Sequence, residues 1–579
     1  MLIFDTTAGK GRVMIMKIKK AGALSLSLLL GLSGCASGTQ SESNDKTLTV
    51  GTSQEMSGVF SPLYYLSGFD GDVINLIYQG MLKYDANSEL NPDLAKEMPT
   101  VSEDGKTVTF KLKKGVKFSD GTNFTSSDVK YTFTVLSDPS YTGYLSTVPS
   151  NIEGYEDYYS GDAKELTGIE TPDDYTVVFH LSSPMIDAVS TLGTQPICSD
   201  EQFNYEKGHT KKIEKKSGEP IGTGAYKLKS FDKSKGATFV KNDQFDFKDG
   251  EYDVDRIIIK KTDSSTELSE LKKGNLDLLP ANIEQSKIGQ ASLDKDLKVS
   301  SYKTAGEGFL GFNCASGTTK DQAVRQALAY AIDRESFVDN FFKYEEASDE
   351  VKKDLIGYVP EVYWNPVSKL VGSYVTGDET LEGLTVYRYD LEKAKQILED
   401  AGWTVGSDGI REKDGQKLEV KFLVSVDVPA LETLIPMFKK SWSEIGVDLK
   451  QSSVDYNTVL STISDDAQVD DWSIYFVSSS YQGVIDTDSN TTLATKNPYN
   501  FSRIQDEELD NDLKAGLNTS SEEDSKEYYS KAMIRENELV PYFPLYGTKA
   551  FNLYSKRVSG LTTGPVCIWS QAMKDVKLK

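Results

Sequence analysis

The sequence predicts an α/β protein with a strand-rich first half and a second half in which helices and strands alternate. Residues 101–124 alternate apolar and polar side chains through Val108, Phe110 and Leu112 and contain two Asp-Gly pairs, the pattern of strands joined by tight turns. Residues 428–446 instead repeat apolar side chains every three or four positions, as an amphipathic helix does. Because strands follow such helices, the chain is expected to form layers of helices packed on a sheet.

The strands of the first half are short runs bounded by turn residues. The first is expected in "KTLTVGTS", residues 46–53. "TPDDYTVVFHLSSP" repeats the alternating pattern from Thr176 to Leu181. "ATFVKN" at 237–242 and "DRIIIKKT" at 255–262 add two more.

Three helices are defined by their apolar faces and their ends. "YDLEKAKQILEDAG" is expected to begin after Asp390 as N-cap and to end before Gly402, and "VPALETLIPMFKKSWSEIG" to end before Gly446. The strands "KLEVKFLVS" and "VDLKQSSV" follow these two helices. In "VRQALAYAIDR" the apolar face predicts an amphipathic helix, so Arg325 and Arg334 are expected to be scaffold rather than ligand contacts.

A stretch beginning at Met16, "MKIKKAGALSLSLLLGLSGCASG", has the anatomy of an export signal. Its apolar run from Ala21 to Leu32 is too short to span a membrane, since spanning takes about 20 apolar residues. The run ends in Leu-Ser-Gly-Cys, which resembles the bacterial lipoprotein box. An ordinary secretory signal with an incidental cysteine is the alternative. We expect residues 1–34 to be a signal peptide that truly starts at Met14 or Met16, Cys35 to carry acyl chains such as palmitate, and residues 35–46 to form a flexible tether.

Charge and cysteine content exclude some classes of function. The chain has 64 basic and 88 acidic residues, a net charge of −24, and removing the signal peptide makes it more acidic still. Such a surface repels nucleic acid, so no nucleic-acid partner is expected. Beyond Cys35 the cysteines are Cys198, Cys314 and Cys567, with no C-x-x-C motif, and free, mostly buried thiols are expected.

No motif makes a positive case for catalysis, a metal ion or a cofactor. His180 and His209 lack metal-ligand spacing with any other histidine or cysteine. "DGKT" at Asp104 lacks the upstream glycine of a phosphate loop, and "GTGAYK" at Gly222 lacks the third glycine of a dinucleotide loop. The run from Asp486 starts like a calcium loop but lacks the required glycine and glutamate. The chain is therefore expected to be neither an enzyme nor a metal or cofactor protein.

Several phrases, in this order, resemble the bacterial extracellular solute-binding proteins of the oligopeptide, dipeptide and nickel type, which serve ABC importers. The most diagnostic are "YQGMLKYD", "LNPDLAKEM" and "VSEDGKTVTFKLKKGVKFSDGTNFTSSDVKYTF". "GTGAYKLKSF", "LGFNCASGTTKDQAVRQALAYAIDRESFV", "YDLEKAKQILEDAGW", "WSEIGVDL" and "VPYFPLY" follow. The matches run from about Thr47 to about Gly560, which is nearly all of the chain after the signal peptide.

The resemblance implies a two-lobed, periplasmic-binding-protein-like fold of the class II type, with an extra subdomain on the first lobe. By analogy the first lobe takes residues 46–77, 198–305 and 543–579, the subdomain 78–197 and the second lobe 306–542. The chain would cross between the lobes near residues 303–306 and 541–546. Lobes joined in this way close on a ligand.

The resemblance also implies ligand-binding residues in three segments: Met56, Ser57 and Gly58 after the first strand; Val477, Ser478, Ser479, Ser480 and Tyr481 in the second lobe; and Tyr546 at the return crossing. Peptide-binding members hold the ligand as an added strand and pair its ammonium group with an aspartate. This chain has Ser480-Tyr481 where Asp-Tyr is usual, so either Asp486 or Asp488 replaces that aspartate or the ligand is not a free-amine peptide.

The expected function is that of a monomeric, lipid-anchored receptor on the extracytoplasmic face of the cell membrane. It would capture oligopeptides by lobe closure and deliver them to an ABC permease. The same role for a nickel chelate, a sugar or haem is one alternative. A lipid-anchored hydrolase on this scaffold is a second alternative, and a receptor without transport is a third.

Overall fold

The computed structural model describes residues 46–579 except 54, 66, 144, 204, 363, 365, 366, 427, 481–488, 491, 496 and 498. The expected signal peptide and Cys35, and the candidate residues Tyr481 and Asp486, therefore lie outside the described residues. Within the described part of the chain, no helix combines the length and the apolar character that crossing a bilayer requires.

One large mixed sheet runs through the molecule. In spatial order its strands are β18 (Asp448–Val454), β17 (Glu419–Ser425), β19 (Ile474–Ser480), β12 (Leu297–Phe312), β20 (Tyr542–Ser555), β11 (Leu278–Asn282), β1 (Thr47–Thr52), β10 (Arg256–Lys261), β9 (Gly236–Lys241) and β8 (Tyr226–Asp232), with β13 (Gly357–Tyr358) paired to β20. Strand β1 is parallel to β10 and β11, and β17 is parallel to β18 and β19, whereas the other pairs are antiparallel.

Smaller sheets lie beside the large one. The strands of one are β4 (Thr100–Val101), β5 (Thr107–Lys111), β7 (Thr176–His180) and β6 (Ile169–Asp173). The others are β2 (Leu82–Tyr84) with β3 (Leu90–Pro92), β14 (Thr404–Val405) with β15 (Arg411–Lys413) and β16 (Gln416–Lys417), and β21 (Val558–Ser559) with β22 (Lys577–Leu578).

Both halves of the sequence contain helices that accompany the strands. In the first half they are α1 (Gly68–Ile77), α2 (Ser126–Leu136), α3 (Tyr155–Ser160), α4 (Ala188–Gly193), α5 (Asp200–Phe203), α6 (Lys211–Glu214), α7 (Glu267–Lys272) and α8 (Gln285–Ser292). In the second half they are α9 (Gln322–Tyr330), α10 (Arg334–Phe341), α11 (Gly372–Thr376), α12 (Leu391–Asp400), α13 (Ala430–Glu444), α14 (Tyr456–Ser464), α15 (Glu507–Leu517) and α16 (Glu522–Leu539).

The helices expected in the second half are confirmed. Asp390 caps α12 by accepting the backbone N–H of Lys393. Helix α13 buries the face that its spacing indicates, where Phe438 and Trp442 stack with ring centroids 4.8 Å apart. On α9, Arg325 is buried and donates to the backbone oxygens of Leu539 and Thr319, each at 2.8 Å, which confirms its expected scaffold role.

The first half holds more helix than its strand-rich sequence suggested. Helix α2 falls in "SSDVKYTFTVL", directly after the alternating stretch 101–124 and within the half that was expected to be rich in strands. Its start is fixed by a capping box: the Thr125 side chain accepts from the backbone of the first turn, while the Asp128 carboxylate accepts the Thr125 N–H at 2.8 Å. These two hydrogen bonds favour a helix in a segment where the spacing of apolar residues alone does not distinguish a helix from a strand.

Buried apolar residues form separate cores in which helices pack on sheets, which confirms the α/β class. One core surrounds β1 and β10, a second surrounds β5 and β7, and the largest surrounds β12, β20 and α13. Among the described residues Cys198, Cys314 and Cys567 are free thiols, as expected. The exact domain boundaries stay a prediction.

Two long antiparallel strands join the halves of the large sheet. Residues 297–303 of β12 pair with residues 549–555 of β20, and residues 307–311 pair with 542–547. The register shifts between Lys303 and Glu307. At the shift the hydroxyl groups of Thr304 and Thr548 lie 2.6 Å apart, and the Thr304 hydroxyl also accepts the Gly306 N–H at 3.0 Å.

Candidate functional site

The structure brings two of the three predicted ligand-binding segments together on β19 and β20, the strands on either side of β12. Ser478 of β19 stands opposite Gly308 of β12, and Gly308 stands opposite Tyr546 of β20. One position along, Ser479 stands opposite Glu307. Strands lie about 4.8 Å apart, so segments distant in sequence are about 10 Å apart here.

The Tyr546 side chain belongs to the core of the second lobe. Its ring is 7% exposed and contacts Phe337 and Phe342, with centroids 5.5 and 5.2 Å away. A Cβ on Gly308 would come within 2.5 Å of the Tyr546 ring, so glycine is required there for the ring to lie on β12. A direct contact between Tyr546 and a ligand stays a prediction.

Strand β19 offers its backbone rather than its apolar side chains. Val477 is 1% exposed and packs in a small core with Trp472 and Tyr475. On its outer side β19 pairs with β17 only at Ile474 and Tyr475. Along residues 476–480, therefore, no strand among the described residues covers the edge opposite β12.

The third predicted segment lies in the first lobe, after β1, and is tied to helix α1. The backbone N–H groups of Ser57 and Gly58 donate to the Asp70 carboxylate at 3.0 and 3.2 Å. The Met56 side chain is 3% exposed and belongs to the first-lobe core. These N–H groups are therefore occupied within the protein, and the segment's role in binding stays a prediction.

The second lobe contains a buried carboxyl group that the sequence did not single out. Glu536 is a buried residue of helix α16, and its Oε2 accepts a hydrogen bond from Trp364 Nε1 at 2.8 Å. Burial, with a smaller contribution from the charge of Glu307, raises the pKa of Glu536 to about 8 against the effect of the Trp364 hydrogen bond. Near neutral pH Glu536 is therefore largely protonated.

The first lobe has a comparable group on α1. Burial raises the pKa of Asp72 to about 7, although the neighbouring Trp569 and Ser570 side chains favour its ionised form. The Ser570 hydroxyl donates to Asp72 Oδ1 at 3.0 Å. The charge of Asp72 in turn adds to the effect of burial in raising the pKa of Tyr302, on the crossing strand β12, to about 12. No local sequence signal marks Asp72 or Glu536, because their environments come from residues hundreds of positions away.

The positions of the acidic side chains, histidines and cysteines bear on metal binding. Within the described ranges no three histidine, cysteine, aspartate or glutamate side chains are placed to hold one. His180 Nε2 lies 3.4 Å from Glu170, and His209 Nε2 lies 3.9 Å from Glu206. Neither histidine lies on β12, β19 or β20.

Paired crossing strands join the two halves of the molecule, and in its described part no further strand pairs with the outer edge of β19 along residues 476–480. This arrangement is that of a two-lobed solute-binding protein. Residues 89–501, more than half of the chain, match the family described as bacterial extracellular solute-binding proteins, family 5. The chain belongs to that family of extracytoplasmic binding proteins. This confirms the resemblance seen in the sequence.

Several relatives are similar over most of their length. The oligopeptide-binding protein AppA of Bacillus subtilis is 25% identical over 556 residues, covering 92% of this chain and 94% of AppA. A lactococcal OppA, solved closed with an endogenous peptide, has a TM-score of 0.72 at 19% identity and covers 92% of this chain and 100% of its own. NikZ of Campylobacter jejuni, solved with Ni(L-His), has a TM-score of 0.67 at 24% identity, with coverages of 91% and 97%.

We expect Glu536→Gln to change how stability depends on pH. A carboxyl group with a raised pKa in the folded state stabilises the fold below its unfolded pKa and loses that contribution as pH rises to its folded pKa of about 8. Glutamine keeps an acceptor for Trp364 and has no proton to lose. Relative to the unchanged protein, the variant should gain at least about 1.4 kcal/mol between pH 5 and pH 9, the equivalent of one pKa unit.

The measurement is urea unfolding at a series of pH values. Glu523→Gln, at an exposed position on the same helix, is the matched control and should give a difference that does not vary with pH. Parallel pH profiles for the two variants would show that Glu536 ionises normally.

Proposed function

We propose that the chain captures oligopeptides between its lobes and delivers them to an ABC import permease. It would act as a monomer, without covalent chemistry, from an anchor at Cys35 on the outer face of the cell membrane. The observation that carries the peptide assignment is that, among the described residues, no strand pairs with the outer edge of β19 along residues 476–480. An extended peptide can add to such an edge as a further strand, with its backbone supplying the hydrogen bonds.

The register shift between β12 and β20 supports a hinge. Before the shift the strands pair regularly, the residues between Lys303 and Glu307 are left out of the β12–β20 ladder, and the register shifts again between Gly308 and Phe309. The bonds that Thr304 makes with Thr548 and Gly306 are few and are made by side chains. A small number of residues at strand ends can absorb the dihedral changes of a closing motion.

A contact between the lobes supports closure. In the subdomain, the N–H of Ile186 donates to the backbone oxygen of Leu517 at 2.8 Å, at the end of α15 in the second lobe. Beside it, Gly105 has a φ of +67° in the β4–β5 turn, and a Cβ there would come within 2.5 Å of Ser520. We refer to residues 105 and 183–186 with 517–520 as the jaw contact. It would separate when the lobes open, so it favours the closed state.

The ligands named for relatives differ, and the strand edge favours one of them. AppA is an oligopeptide-binding protein and NikZ was solved with Ni(L-His), while a Haemophilus influenzae relative is named heme-binding protein A. A strand edge recognises an extended backbone, which neither a nickel chelate nor haem possesses. Asp486 and Asp488, the proposed ammonium partners, lie outside the described residues.

Peptides should stabilise the purified protein. With a short-peptide mixture about a hundredfold above Kd, the expected gain is about 2.7 kcal/mol, since only the folded state binds. Mass spectrometry of cargo that remains bound through purification identifies the peptides, and a thermal melt with a defined one of them measures the gain. If nickel-histidine, haem or a sugar shifts the melt while peptides leave it unchanged, the peptide assignment is wrong and the receptor role remains.

Gly105→Asn should weaken peptide binding. Asparagine tolerates a positive φ, but its side chain would enter the space held by Ser520 and push the jaw contact apart. Loss of the Ile186–Leu517 hydrogen bond, worth about 1 kcal/mol, corresponds to roughly fivefold weaker affinity by calorimetry. Small-angle scattering should show a larger radius of gyration for the peptide-free variant.

Gly121→Asn is the matched control for this experiment. It lies in a second Asp-Gly turn of the same subdomain, with a φ of +94° and nothing within 4 Å of an added Cβ. It should bind peptide as the unchanged protein does, and Ser520→Gly should restore affinity to the Gly105 variant. Equal affinities for the two asparagine variants would mean that the jaw contact does not control closure.

Cys35→Ser tests the anchor. The diacylated cysteine would supply two acyl chains, enough for stable attachment, so its loss should move the protein from the membrane fraction to the soluble extracytoplasmic fraction. Fractionation followed by immunoblotting gives the distribution, and Cys198→Ser is a matched control that should leave it unchanged. Membrane association of the Cys35 variant would exclude a lipoprotein.

A further inference from the structure

A second concave site lies away from the crossing strands. It is a groove of about 1120 Å³ between the β2–β3 hairpin, the loop at residues 113–117, the loop at 244–252 and the C-terminal segment 560–575. We call it the lysine groove, after Lys83, Lys113, Lys248 and Lys574, which line it. The proposed peptide site uses none of these residues.

The charge of the lysine groove is opposite to that of the chain. Seven lysines and five acidic residues line it, whereas the whole chain has 64 basic and 88 acidic residues. Of these acids, Asp93 lies 3.3 Å from Lys83, and Glu251 lies 3.1 Å from Lys574. Asp85 accepts hydrogen bonds from the turn that it caps. Two of the five acids are therefore paired with two of the seven lysines, and the remaining lysines outnumber the remaining acids.

Two of the ammonium groups are available to a ligand. Among the described residues, Lys113 and Lys248 form no ion pair within 4 Å. Burial lowers the pKa of Lys113, and the charges of the neighbouring lysines lower it further, although Asp93 opposes the shift. An unpaired ammonium in this setting is stabilised by an added anion.

The groove walls also contain aromatic rings. Phe245 and Tyr252 meet edge to face with centroids 5.3 Å apart, and Tyr84 lines the opposite side. A volume of about 1120 Å³ exceeds that of a bare inorganic ion and suits an organic molecule. Apolar walls with converging cations fit a ligand with an organic body and a compact, multiply charged group.

The groove lies close to the point where the tether joins the fold. Lys46, the first described residue, forms an ion pair with Asp253, next to Tyr252 in the groove wall. Residues 35–46 span at most about 40 Å when fully extended. If Cys35 is anchored as proposed above, the groove is within reach of lipid headgroups. This reach depends on the proposed anchor, whereas the chemistry of the groove does not.

We propose that the lysine groove binds a phosphate-bearing organic anion, either free in solution or as the headgroup of an anionic lipid. A phosphomonoester carries up to two charges on one compact group, which matches two lysines without an ion-pair partner, Lys113 and Lys248, that line the same groove. Lysine is a common partner of phosphate, where it acts as a point charge.

The test uses the full chain carrying Cys35→Ser, so that no acyl chain attaches it to a vesicle. One arm titrates glycerol 3-phosphate by calorimetry. The other arm measures sedimentation with vesicles of equal parts phosphatidylcholine and phosphatidic acid, whose phosphomonoester carries up to two charges, compared with phosphatidylcholine alone. Binding is expected in at least one arm. Binding of glycerol 3-phosphate would identify the ligand as a free phosphate ester, and binding to the anionic vesicles would identify it as a lipid headgroup.

Charge reversal then locates the site. Lys113→Glu with Lys248→Glu should weaken binding at least about tenfold, since each charge-assisted contact contributes about that factor. Lys272→Glu with Lys440→Glu changes the net charge equally at exposed positions outside the groove and should leave binding intact. If the first variant melts early, the milder Lys113→Gln with Lys248→Gln replaces it and should still weaken binding.

Two results would overturn the proposal: no binding in either arm, or equal weakening by the groove variant and its control. Peptide affinity, measured in parallel, should be the same in all these proteins. Failure of the groove and failure of the peptide site are therefore distinguishable.

Discussion

The pairing of β12 with β20 is the constraint on which the rest of the structure depends. These two strands are the middle of the large sheet and carry hydrogen-bonded neighbours from both halves of the chain. Their ladder is regular along residues 297–303 and is then interrupted twice in close succession, between Lys303 and Glu307 and between Gly308 and Phe309. Because a paired sheet resists bending except where its ladder is broken, the proposed relative motion of the lobes would be concentrated in this short stretch.

The surroundings of the break stabilise the strands without bridging it rigidly. Lys549 forms a 2.6 Å ion pair with Asp354, and Tyr358 lies under the ammonium groups of both Lys303 and Lys549 at 4.8 and 5.9 Å. These contacts use long, flexible side chains, which can follow a change in strand geometry. The jaw contact is instead made by short loops and a backbone hydrogen bond, so it is either formed or separated.

Sequence reasoning reached the parts of this fold that local patterns encode. The alternation through Val108 and Phe110 and the helical face that ends at Trp442 each repeat with the period of their element, and these side chains are buried. The crossing strands could be placed only by family resemblance, since pairing between distant residues, such as Lys303 with Lys549, leaves no local pattern. The same reason hid Asp72 and Glu536, whose pKa values are raised by burial and whose hydrogen-bond partners, Ser570 and Trp364, lie far away in the sequence. The jaw contact has no sequence signal at all, because Gly105 looks like any other turn glycine.

The crossing strands also influence a buried acid of the second lobe. Glu307 lies on β12, opposite Ser479, and its charge adds to the effect of burial that keeps the proton on Glu536. A negative charge disfavours the ionisation of a nearby carboxyl group, so the protonated state of Glu536 depends on β12 as well as on its own burial. The strand that joins the halves of the large sheet therefore also contributes to the electrostatics of the second-lobe core.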